Sequence, residues 1–142
     1  MTLHFFKVFI VSLIVGFTAG AQILNNSVIA MGAFKGADSM HKAQGYATLM
    51  KVNQGLYVQL DKNFYVSEGP DLFLMLRNSK NAHIGMTILT PLKQYSGAQM
   101  FKINISEQDL IKYDQVIIYC KRITTLFAFA PLTFNPNAFL RR

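Results

Sequence analysis

Short apolar runs cut by turn residues recur along this chain, and they restrict it to a fold built from many brief strands. Tyr46–Val52 is rich in β-branched and aromatic residues, and Leu56, Val58 and Leu60 alternate with Tyr57 and Gln59 in the run that follows. Asn53, Gln54 and Gly55 between them suit a hairpin turn. Gly69-Pro70-Asp71 is a tight turn feeding residues 72–76, which are apolar on both faces, as expected of a central strand. A polar loop, Asn78-Ser79-Lys80-Asn81, precedes a short strand over residues 86–89 that Pro91 ends. Over residues 98–105, Gln99, Phe101, Ile103 and Ile105 alternate with Met100, Lys102 and Asn104. Ser106 followed by Glu107 and Asp109 marks one helical turn. Gln115–Cys120 and residues 124–130 then read as two strands separated by Lys121-Arg122. The spacing predicts an all-β domain, an antiparallel β-sandwich or barrel-like fold.

With 142 residues, 51% of them hydrophobic, the chain has material for one packed domain. Residues 1–21 have the pattern of a secretory signal peptide: Lys7, an uncharged apolar run over residues 8–17, and Ala19-Gly20-Ala21 at the cleavage position. That run falls short of the roughly 20 residues a permanent transmembrane helix needs, so no membrane span is expected after cleavage. Residues 22–31 are expected to form a short linker, residues 32–132 the β domain, and residues 133–142 a loosely packed tail. The expected location is outside the cytoplasm, in a periplasm, on a cell surface or extracellular. Asn25-Asn26-Ser27 and Asn104-Ile105-Ser106 are glycosylation sequons that the pattern attributes to chance.

Fourteen Lys and Arg against seven Asp and Glu give a net charge of +7. The cations are scattered along the chain, which argues against a nucleic-acid partner. The expected partners are a protein redox partner or a cell-surface or matrix component. No phosphate-binding glycine loop, H-E-x-x-H pair or C-x-x-C-H haem attachment motif is present. The single cysteine, Cys120, excludes an intrachain disulfide and any zinc site that needs two thiolates. Outside the signal, His41 and His83 lack metal-binding spacing with it, and the methionines show no M-x-x-M clustering, so no metal site is expected.

The last third of the chain is more specific. Residues 116–122, Val-Ile-Ile-Tyr-Cys-Lys-Arg, are followed by Thr125-Leu126-Phe127-Ala128-Phe129-Ala130-Pro131-Leu132. Earlier blocks keep a matching order: Gly32-Ala33-Phe34, Gly36-Ala37-Asp38, His41 with Gly45, Asn63-Phe64, Gly69-Pro70-Asp71-Leu72, and Ser96-Gly97-Ala98-Gln99. Together these resemble the DM-thirteen domain family of extracellular and cell-surface proteins, often found beside DOMON domains. The chain departs from the family pattern at Tyr119, Ile123 and Ala128, where Trp, Phe and Gly are usual. The resemblance implies a role in electron transfer centred on Cys120, as a naked redox thiol or as ligand to a prosthetic group such as haem. It implies no stand-alone catalytic activity.

Strand alternation puts Ile118, Cys120 and Arg122 on one face, where the Arg122 guanidinium would favour the thiolate. In a haem version, His41 or a methionine is the candidate opposite ligand. The alternative is that Cys120 is a buried core residue, which the apolar residues before it favour, in a non-catalytic interaction module. His41 then reads as a turn residue bonded to backbone, and Asp38 and Asp71 as turn carboxylates.

Overall fold

A computed structural model describes residues 26–139; the expected signal peptide lies outside the described residues. The strands are β1 (Asn26–Ala33), β2 (Lys35–Gly36), β3 (Ala43–Gln44), β4 (Tyr46–Val52), β5 (Gly55–Leu60), β6 (Tyr65–Val66), β7 (Leu72–Arg77), β8 (Met86–Pro91) and β9 (Gln99–Ile103). One helical turn, α1 (Glu107–Leu110), precedes β10 (Gln115–Cys120), β11 (Thr125–Pro131) and β12 (Thr133–Phe134). They form two five-stranded antiparallel sheets, β12-β1-β4-β5-β9 and β2-β11-β10-β7-β8, and a small β3-β6 pair.

Side-chain alternation gives each sheet an apolar inner face, and burying both requires the sheets to pack together. The cross-strand row Leu49, Val58 and Phe101 of the first sheet and the row Leu74, Ile118 and Ala128 of the second join one buried cluster. The fold is therefore an all-β sandwich. In β9, Gln99, Phe101 and Ile103 are buried, whereas Met100 and Lys102 are exposed. The buried Gln99 amide is satisfied by the Gln94 backbone: its oxygen accepts from the Gln94 N–H and its nitrogen donates to the Gln94 carbonyl. The helical turn starts at Ser106, whose hydroxyl accepts from the Asp109 N–H, and buries Leu110 in the core.

Two expectations about the chain ends are corrected. Residues 26–31, expected in a linker, belong to β1, which pairs with β4 along its length. A bulge between Val28 and Ala30 turns both Ile29 and Ala30 into the core, which breaks the alternation that would have marked a strand. The expected loose tail begins as β12, which pairs Thr133 and Phe134 with Met31 and Ala30, and the Asn135 N–H donates to the Ile29 carbonyl at 2.8 Å. These bonds satisfy backbone groups on the otherwise open edge of β1.

The second sheet is apolar on its outer face as well. Met75 and Ile117 are cross-strand partners and are buried, yet they lie outside the central cluster.

Leu49 is fully enclosed at the centre of the first sheet. Leu49→Ala is expected to cost about 2–5 kcal/mol, read as a lower denaturant midpoint, while Lys102→Ala on the exposed face changes stability by less than about 0.5 kcal/mol.

Candidate functional site

Cys120 is the last residue of β10 and shares the inward parity of Val116 and Ile118. It is 0% exposed, with Leu72 of β7 and Thr125 of β11 as its cross-strand partners. The chain then turns at once through residues 121–124, and the Lys121 N–H donates to the Asp71 carbonyl at 3.0 Å. Thr124 closes the turn at φ 48°, a left-handed conformation that strains a β-branched residue.

Arg122, expected on the thiol's own strand face, stands in this turn with its side chain exposed. Strand alternation stops at Cys120, so the argument that aimed the guanidinium at the sulfur does not hold. A second irregularity lies opposite: the register of β10 on β11 shifts between Ile118 and Tyr119, which leaves Phe127 as the extra residue. Phe127 is buried in the core.

The loops at this end of the sandwich interlock. The Ala37 N–H donates to the Phe127 carbonyl, Ser67 and Lys42 exchange backbone and hydroxyl bonds, and the Tyr95 hydroxyl donates to the Gly69 carbonyl. Gly97 N–H donates to the Phe64 carbonyl, and Phe34 N–H to that of Gly45. Glycine is required where the loops touch. A Cβ on Gly36 would fall 1.9 Å from the His41 carbonyl oxygen, and one on Gly69 within 2.9 Å of the Leu72 and Phe127 side chains.

His41 sits in this assembly. Its ring centroid is 4.1 Å from that of Phe127, and its Nδ1 lies 2.8 Å from Asp38 Oδ2. Asp38 also accepts from the His41 and Met40 N–H groups. These bonds, led by the His41 side chain, hold the Asp38 carboxyl below its ordinary 3.8. The structure thus brings His41 and Cys120 to one end of the fold, His41 against Phe127 of β11 and Cys120 opposite Leu72 of β7. His83 is exposed elsewhere, in the loop before β8. Among the described residues no three of His, Cys, Asp and Glu converge as metal ligands.

These residues do not fit a haem. The thiol is wholly enclosed by core side chains, leaving no open face for a macrocycle, and the His41 ring is already engaged by Asp38 and Phe127. Two surface cavities, of about 520 and 1240 Å³, are lined by neither Cys120 nor His41. Both lie by the β4–β5 turn and Glu107, at the end of the first sheet away from Gly45 and Asp61.

Sequence reasoning missed Phe127 as the partner of His41, because a strand bulge placed it there. It also read Asp38 and His41 separately, although their spacing of three residues across a turn was a usable signal.

Fold and site together define an all-β sandwich domain with one enclosed thiol. The chain belongs to the family described as Electron transfer DM13, whose model matches residues 33–132. No curated protein and no solved structure matches it.

Because the folded-state value for Asp38 is depressed, its stabilisation is present above pH 3.8 and is lost as pH falls through the lower folded value. The stability gap between the parent chain and Asp38→Asn is therefore expected to hold near about pH 5 and to close below 3.8, measured by denaturant titration.

Proposed function

We propose that this chain is an exported electron-transfer accessory protein, periplasmic, cell-surface or extracellular, whose redox group is the naked Cys120 thiol. The observation that carries this reading is the position of Cys120. The chain's one thiol lies at the end of the sandwich where the interlocked loops meet, next to a strained turn. Membership of an electron-transfer family supports it.

With one cysteine, the chemistry requires a partner protein. The Cys120 thiolate attacks a partner disulfide, the new S–S bond forms as the old one breaks, and the electron pair leaves on the partner's second sulfur. A thiolate of a second partner, a dithiol donor, then attacks the Cys120 sulfur and releases the first partner as a dithiol. The donor's second thiol displaces the Cys120 thiolate as the donor's own disulfide forms, so two electrons pass from dithiol to disulfide. Because Cys120 is enclosed, the reaction requires local opening of residues 121–124. The strain at Thr124 lowers the cost of that opening.

A second reading, a non-catalytic interaction module with Cys120 as a core residue, is favoured by the 0% exposure of the thiol. Iodoacetamide labelling of the native chain separates the two. If local opening exposes the thiol, Leu49→Ala in the opposite sheet leaves the labelling rate unchanged. Thr124→Gly, which relieves about 1 kcal/mol of strain, slows labelling about five-fold. If Cys120 is exposed only by global unfolding, Leu49→Ala accelerates labelling about thirty-fold or more, in step with its lost stability, and the redox reading fails.

A further inference from the structure

We propose that the outer face of the β2-β11-β10-β7-β8 sheet docks on the surface of an anionic lipid bilayer. The pairing registers lay this face out in rows. The central row runs Ile88, Met75, Ile117 and Phe129 and ends at Lys35; Met75 and Ile117 are themselves buried, so the accessible apolar surface of this row is that of Ile88 and the half-buried Phe129. The next row runs Phe73, Tyr119 and Leu126, with the Lys121 ammonium 4.6 Å above the Phe73 ring. Ile88 and Met86, on the edge strand, are 52% and 48% exposed. Among the described residues no third layer of strands or helix is stacked on this face.

Charge complementarity selects the occupant. None of the seven acidic residues lies in any strand of the fold, and the carboxylate nearest this face is that of Asp71, at its margin opposite Lys121. Its cations are Lys35, Arg77 and Lys121, set at the margins of the apolar rows. A second copy is disfavoured because the same cations would be brought together. A specific protein partner needs directional hydrogen bonds, about one per 100–200 Å² of interface. Here the Gln115 amide oxygen is already taken by Arg77 at 2.9 Å, which leaves apolar area and positive charge as the main recognition features. A bilayer interface requires those two terms: burial of apolar side chains at the headgroup boundary and attraction of marginal cations to anionic lipid. Tyr119 has the amphipathic ring suited to that depth. This surface stands independently of any redox role for Cys120.

The test is co-sedimentation of the protein recovered from its export route with two vesicle types: phosphatidylcholine alone, and equal parts phosphatidylcholine and phosphatidylserine. The expected result is binding to the mixed vesicles that weakens with salt and is slight on neutral ones. Ile88→Asp abolishes it, Lys35→Glu and Lys121→Glu each weaken it about five-fold or more, and Met100→Asp on the other sheet's outer face leaves it intact. All four positions are exposed, and circular dichroism verifies that each variant is folded. Equal binding to both vesicle types, binding that survives Ile88→Asp, or loss in Met100→Asp would overturn the proposal. So would no vesicle binding, which would leave the face to an acidic protein, or a dimer abolished by Ile88→Asp, which would assign it to a second copy.

Discussion

The parity of β10 governs this protein. Val116, Ile118 and Cys120 must face inward if the second sheet is to bury its share of the core, and the intervening Ile117 and Tyr119 must then face outward. A slip of one residue would turn Ile118 and the thiol onto the outer face together and remove the row that Leu74 and Ala128 complete. The thiol is enclosed as a consequence of the register that holds the sandwich together. Any chemistry it performs has to work around that enclosure.

The loop end supplies the setting for such chemistry. Close approaches at Gly36 and Gly69 bring the His41 segment, the turn before β7 and the start of β11 together. The β10–β11 hairpin closes over Cys120 with a strained residue, while the opposite end of the sandwich carries the open cavities. The enclosed, loop-capped thiol and the open polar cavities therefore occupy different parts of the molecule. That separation argues for a thiol acting on its own over one paired with a bound group.

Part of the fold was legible because β5, β9 and the first half of β4 alternate and the turns between strands carry their signature residues. The turn at Asn53 and Gln54, the apolar β7 and the alternating β9 stand where the residue pattern puts them, and the single helical turn follows its Ser106 cap. The pattern failed where geometry overrides parity. The bulge at Val28 to Ala30 hid β1, and β2, β3, β6 and β12 are two residues long, too short for any period to register. Of the site, Cys120 was legible as the lone thiol. The position of Arg122 was misread because alternation was carried one turn too far, and the stacking of Phe127 on His41 depended on a bulge that sequence does not announce.

The central claim is that an enclosed Cys120 still exchanges electrons while the sandwich remains folded. The direct measurement is to equilibrate the native chain with graded ratios of reduced to oxidised glutathione, reading the mixed disulfide at Cys120 by intact mass and the fold by circular dichroism. A redox thiol predicts an adduct whose fraction follows the glutathione ratio with the β signal unchanged, and none in Cys120→Ser. An adduct that forms only as the β signal collapses would contradict the claim and leave Cys120 as a core side chain.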